Sequence, residues 1–253
     1  MAGYDEGFYA RQANGSYRSA TVVLACLREI LPFSSVVDVG CGAGTWLKAL
    51  IEGGTEDVVG IDGEYARAAL CIPAERFLAR DLVRPLDLDR RFDLALSLEV
   101  AEHLPPERAA GFIADLVRLA PAVLFSAAIP LQGGTNHLNE RWQAFWAGLF
   151  ASHGYRAFDV IRPRVWDDPR VEPWYRQNTV LFLADGHPET ERVAKAERDA
   201  PRPLSVVHPA VFPLGYNIDN KVLLAKMIYW SFRRDIKRLL ARGPARARTT
   251  EAP

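Results

Sequence analysis

The stretch from Val36 to Trp46 constrains what this chain can fold into more than any other, because a short apolar run breaks there into three alternating glycines. Val36, Val37 and Val39 are β-branched and bounded by a turn, the profile of a parallel strand covered on both faces. Gly40, Gly42 and Gly44 carry no Cβ, so the backbone can turn sharply and a ligand can approach the main chain closely. Residues 45–51 then place apolar side chains at helical spacing, which sets the glycine loop at a helix N-terminus, where backbone N–H groups face outward. Strand, loop and helix in that order form a nucleotide-type site.

The spacing is G-x-G-x-G with Asp38 before it, and a second apolar run, residues 58–61, closes on Asp62. An acid ending the second strand is placed to accept hydrogen bonds from two ribose hydroxyls. With these residues the chain resembles the class I S-adenosylmethionine-dependent methyltransferases. The resemblance implies an α/β fold, a Rossmann-like, doubly wound, seven-stranded sheet, with S-adenosylmethionine as cofactor. It puts Asp38, Gly40, Gly42 and Gly44 under the methionine part and Asp62 on the ribose. It puts Asp81, closing a third short strand over residues 76–82, beside the adenine amino group, with Leu82 and Leu98 in the same pocket. For Asp81 a capping or loop aspartate is the alternative.

At 253 residues, 49% of them hydrophobic, the chain can bury one substantial core, so one domain with appendages is expected. The division read from composition is an N-terminal helical cap over residues 1–32, a catalytic domain over 33–186, a charged, proline-bearing linker over 187–203 and a basic helical extension over 204–253. Lys plus Arg and Asp plus Glu are equal at 31 each, which leaves no overall field to recruit nucleic acid. Cys26, Cys41 and Cys71 are too few and too separated for a metal knuckle or a disulfide framework, and they read as reduced thiols of a cytoplasmic protein. No stretch is long enough to cross a bilayer.

A fourth strand over residues 92–98 runs into Glu99-Val100-Ala101-Glu102-His103, at the sheet end where open α/β folds bind ligands. Glu99, Glu102 and His103 stand at i, i+3 and i+4, so a helical turn there brings all three to one face, and two carboxylates with an imidazole suit a divalent metal such as Mg²⁺. The E-x-x-E-H pattern resembles the metal-dependent small-RNA 2′-O-methyltransferases and the ubiquinone-pathway O-methyltransferases; the same pattern also closes the helix after the fourth strand in methyltransferases that bind no metal. A helix over residues 107–120 leads to a fifth strand, and the polar loop behind it, residues 132–142, centres on His137. His137 is a candidate general base for an acceptor hydroxyl and a candidate last ligand of the metal; capping of a helix over 140–150 is the alternative. Trp142, Phe145, Trp146 and Phe150 lie at helical spacing and read as core.

A sixth strand over 155–165 and a last one over 178–184 complete the sheet as an antiparallel pair. Asn136, and Trp174, Tyr175 and Arg176 in the long connection between those strands, are candidates for the acceptor pocket; the last three also suit a plain cover for the sheet. In the methyltransferases that the chain resembles, such an N-terminal segment often covers the cofactor, which makes Tyr9, Arg11 and Gln12 candidates to reach its carboxylate or the acceptor; a cap packed on the sheet is the alternative. The basic amphipathic pattern over 221–241 suits docking on its own domain or a second subunit, and hence a homo-oligomer, before a membrane or RNA. The function expected is O-methylation of a small-molecule or sugar hydroxyl, with His137, Glu102 and His103 as the available bases. Its rivals are a metal-dependent methyltransferase of RNA ribose or vicinal hydroxyls and a non-catalytic cofactor-binding accessory protein.

Overall fold

The apolar runs of the sequence line up side by side in the computed structural model, which describes residues 6–197 and 203–211, with side chains from residue 15 onward. The strands are β1 (Ser35–Val39), β2 (Asp57–Asp62), β3 (Phe77–Ala79), β4 (Leu94–Leu98), β5 (Ala122–Ser126), β6 (Tyr155–Phe158) and β7 (Val180–Ala184). They form one seven-stranded sheet in the order β3-β2-β1-β4-β5-β7-β6. The first five are parallel, and β7 runs antiparallel to both β5 and β6. Strand building reverses direction between β1 and β4, so a crevice opens at their carboxyl ends, and both informative stretches of the sequence emerge there.

The helices are α1 (Glu6–Ile30), α2 (Thr45–Glu52), α3 (Ala109–Leu119), α4 (Gln143–Ala151), α5 (Arg162–Val165), α6 (Pro173–Asn178) and α7 (Thr190–Ala196). Successive residues of a strand point to opposite faces. Val36 therefore joins a core layer with Leu27 of α1 and Leu47 and Leu50 of α2. Val37 and Val39 join the other layer, with Phe112 and Leu116 of α3 and Trp146 and Phe150 of α4. β4 and β5 are buried along their whole length, as a sheet covered on both sides requires.

Four expectations need correction. The sixth strand stops at Phe158, and residues up to Val165 turn into α5, because Pro163 has no N–H for a ladder but fits a helix's first turn. The third strand covers only Phe77–Ala79, which leaves Asp81 in a turn beyond it. Of the aromatic stripe, Trp146 and Phe150 are core, whereas Trp142 and Phe145, at the start of α4, are 44% and 39% exposed. Finally, the stretch read as a linker holds α7, whose Val193 is fully buried, and the first compact unit of the chain runs to Phe212. The basic helix expected over 221–241 and the side chains of Tyr9, Arg11 and Gln12 lie outside the described residues. Among the described residues no helix is long and apolar enough to cross a membrane, and the three cysteines are free.

Candidate functional site

The glycine loop after β1 has left-handed backbone at Gly40, Gly42 and Gly44, with φ of 86°, 53° and 80°. At Gly40 a Cβ would lie 2.4 Å from a methyl of Val100, so the loop is held close to the chain leaving β4. At Gly42 a Cβ would meet nothing within 4 Å, so this peptide lines open space where a ligand can lie on the main chain. Asp62, 4% exposed, faces the same space. Its Oδ2 accepts the Gly42 N–H at 2.7 Å, and its Oδ1 accepts the Gly63 N–H at 2.7 Å and the hydroxyl of Tyr65. Tyr65 was invisible as a site residue in the sequence, and it is 81% exposed. Asp38 is 3% exposed, and burial, then the charge of Asp62, pushes its carboxyl up to about 8.

The other candidates on this side are less concentrated. Asp81 accepts the Val83 N–H at 3.0 Å and pairs with Arg84 at 3.7 Å, which is the turn role rather than an aim into the crevice. Leu82 and Leu98 are both 8% exposed and pack into the two core layers.

Across the crevice, the expected helical turn carrying Glu99, Glu102 and His103 does not form as one unit. Glu99 has φ 57°, and only Ala101–His103 forms a 3-10 turn, so Glu99 stands outside the turn that carries the other two. Its carboxylate accepts the Gln132 Nε2 amide at 2.9 Å and the Asn178 Nδ2 amide at 3.1 Å. Glu102 and His103 instead meet His137 from the loop after β5; one ligand atom from each lies within 4.8 Å of the others. The metal set read from the sequence therefore loses Glu99 and keeps three donors.

Backbone bonds bring these two loops together. The N–H groups of Leu138 and Asn139 donate to the carbonyl of Glu102 at 2.7 and 2.9 Å. Glu140 accepts the N–H groups of Leu131 and Gly133 and lies 3.0 Å from His137 Nδ1, leaving Nε2 of that ring for another partner. His137 does not cap α4, which begins only after Trp142 and has no side-chain cap. The His103 and His137 rings stand edge to face, 4.9 Å apart. Burial and then His137 push the His103 imidazole down, so it favours the neutral, ligating form. Glu102 is fully buried, and among the described residues neither of its carboxyl oxygens has a hydrogen bond of normal geometry. Burial, then the charge of Glu99, holds it well above the usual carboxylate range.

Asn136 sits exposed beside His137 with left-handed backbone, φ 60°. Trp174, Tyr175 and Arg176 lie on α6. Tyr175 is buried, edge-on to Trp46 at 5.2 Å, with its hydroxyl 3.4 Å from Ser16 Oγ, which in turn bonds Thr45 at the start of α2. Arg176 donates to the Trp166 carbonyl at 3.2 Å. Tyr175 thus ties α6 to α1 and α2. Asn178, which donates to Glu99, and Gln177, which donates to Gln132 behind it, were not singled out in the sequence; the only signal was an amide pair heading an apolar strand.

A family model described as a methyltransferase domain matches residues 9–161, which hold the glycine loop and the Glu102, His103 and His137 group. No curated protein matches the chain. Among solved structures, the magnesium protoporphyrin IX methyltransferase of Synechocystis PCC 6803 with bound SAH is 19% identical, with 73% of this chain and 90% of that one covered at a TM-score of 0.53. The sugar N-methyltransferase KedS8 of Streptoalloteichus sp ATCC 53650 is 17% identical over 73% of this chain and 94% of that one, at 0.54. DesVI of Streptomyces venezuelae is 16% identical over 72% and 99%, at 0.53. At such identities these likenesses speak for the fold.

Proposed function

The chain belongs to the methyltransferase-domain family and has its α/β fold; from that premise we propose that it transfers the methyl group of S-adenosylmethionine to a hydroxyl of a small molecule or sugar, beside a divalent cation held by Glu102, His103 and His137. The observation that carries the acceptor side is Glu102, a fully buried carboxyl without a well-formed hydrogen bond among the described residues. Leaving such a group unsatisfied is costly, and a cation between it and two imidazoles removes the cost. Two imidazoles with one carboxylate suit Mn²⁺ and its neighbours better than Mg²⁺, which prefers oxygen donors. Glu140 on the far nitrogen of His137 is the partner that fixes a ligating ring.

On the cofactor side the open peptide at Gly42 and the carboxylate of Asp62 fit an adenosine-bearing ligand, with Asp62 exchanging the Tyr65 hydroxyl for ribose hydroxyls. When bound, the cofactor would supply an electrophilic methyl on a positively charged sulfur that leaves as a neutral thioether, and the cation would lower the pKa of the acceptor hydroxyl so that its proton passes to water. The chain's own contribution is alignment: the β1 loop and the β4 and β5 loops hold donor and acceptor on either side of the strand-order reversal. The candidate residues around the crevice, Asp38, Asp62, Glu102, His103 and His137, include no Lys or Arg to attract a polyanion such as RNA, which favours an uncharged acceptor.

The test is methyl transfer from S-adenosylmethionine to a panel of uncharged diols and sugars, read by mass spectrometry, with chelator and with Mn²⁺ or Mg²⁺ added back. Activity lost in chelator and restored by metal is expected. Full activity in excess chelator with an inactive His137→Ala would replace the cation by His137 as general base, and full activity in both would remove this group from the chemistry.

A further inference from the structure

Behind the Glu99 carboxylate lies a buried chain of amides whose direction is fixed from its far end. The backbone N–H of His208 donates to Gln177 Oε1 at 2.8 Å. The Gln177 Nε2 group must then face the other way, and it donates to Gln132 Oε1 at 3.0 Å and Asn178 Oδ1 at 2.9 Å. With their oxygens so engaged, Gln132 and Asn178 turn their own N–H groups to Glu99. Every amide in the chain is committed, because a primary amide has one accepting and one donating side. Gln177 is fully buried and Asn178 is 2% exposed, so water is not on hand to replace a lost partner.

The far end is anchored independently. Residues 204–208 follow α7 in the chain and are held by Arg162, which donates to the Leu204 carbonyl at 2.8 Å, and by Gln143, which donates to the Val206 carbonyl at 3.1 Å. Arg162 is itself fixed by a two-pronged pair with Asp159, both contacts at 2.8 Å. A segment remote in sequence from β4 thus sets the orientation of amides at the end of β4.

We propose that Gln177 is a positioning residue for the methyl-transfer site: by orienting Gln132 and Asn178 it holds the Glu99 carboxyl immobile next to Glu102. Its consequence for catalysis rests on the function proposed above; its consequence for the amide chain does not. In Gln177→Glu the new carboxylate cannot donate, so Gln132 must turn its amide toward it and present an oxygen to Glu99. Placing an amide at position 99 by Glu99→Gln lets that contact re-form.

The test is a double-mutant cycle in the full-length chain. Gln177→Glu should lower the melting temperature by roughly 4–8 °C, and adding Glu99→Gln should recover at least about half of that loss. Gln177→Met, which neither accepts nor donates strongly, should lose stability without any recovery from Glu99→Gln. In kinetics, Gln177→Glu should keep its affinity for S-adenosylmethionine within about twofold while kcat falls on the order of tenfold. Strictly additive melting shifts would overturn the amide chain. Coupled shifts with unchanged kcat would overturn the positioning role, and if no acceptor is methylated by the wild type, the melting cycle still decides whether Gln177 orients Glu99.

Discussion

Glu99 and Glu102 leave the end of β4 three residues apart and reach opposite fates: Glu99 accepts two amide N–H groups, and Glu102, fully buried, has no well-formed hydrogen bond among the described residues. The left-handed backbone at Glu99 leaves its carboxylate to Gln132 and Asn178, while the 3-10 turn carries Glu102 to His103 and His137. Burial first, and then the neighbouring Glu99, holds the Glu102 carboxyl well above the usual carboxylate range. Four expected outcomes follow from this and from the crevice it borders.

Glu102→Gln should abolish cation binding yet not destabilise the protein without metal, because it replaces a buried, poorly satisfied carboxyl by a neutral group of the same shape. Melting scans with and without Mn²⁺ check this. The wild type should shift upward with added metal by a margin that grows with concentration, and the variant should not move.

Asp62→Ala should weaken binding of S-adenosylmethionine by about 1.5–3 kcal/mol, the usual loss for a charge-assisted partner. Tyr65→Phe should do the reverse, tightening binding by roughly two- to fivefold, since the Tyr65 hydroxyl competes for Asp62 Oδ1 and is mostly exposed. Titration calorimetry on the two variants separates the effects. Unchanged affinity in Asp62→Ala would remove the ribose role.

Asp38 gives the ligand-free protein a pH dependence with a definite sign. Burial and the neighbouring Asp62 raise its carboxyl to about 8, so the fold favours the neutral form. The contribution is fully present below the ordinary carboxylate range, is lost as pH climbs toward about 8, and stays lost above it. Asp38→Asn should flatten that decline, by on the order of 5 kcal/mol at most. Urea unfolding from pH 4.5 to 8.5 compares the slopes.

A chain ending after Phe212 should fold and bind S-adenosylmethionine, because the first compact unit ends there. One ending before Leu204 should unfold more easily, since it strips the partners of Arg162, Gln143 and Gln177. The extension read from composition as starting at residue 204 therefore begins too early. Thermal unfolding of the two truncations decides it.

The glycine loop and Asp62 were legible because their constraints are local. Three glycines with left-handed backbone and an acid at a strand end declare a turn and a ligand without reference to the rest of the chain. Strand alternation and the two core layers were legible for the same reason, since burial on both faces leaves unbroken apolar runs. At the second half of the site the residue types stood out in the sequence, and the structure brings Glu102, His103 and His137 close together.

What the sequence determined by itself is thus the order of elements, the glycine loop with its left-handed turns and the identity of the polar groups at the sheet's edge. Tertiary structure decided which of those groups touch. A helical spacing predicted one turn carrying Glu99, Glu102 and His103, but the left-handed residue at Glu99 breaks that turn and leaves its carboxylate to Gln132 and Asn178. Gln177 and residues 204–208 gained their roles only because β7 inserts between β5 and β6, bringing the chain's late segments against the end of β4. Hydrogen bonds between buried amides depend on orientation and on partners many residues away, and neither composition nor periodicity encodes a direction in space.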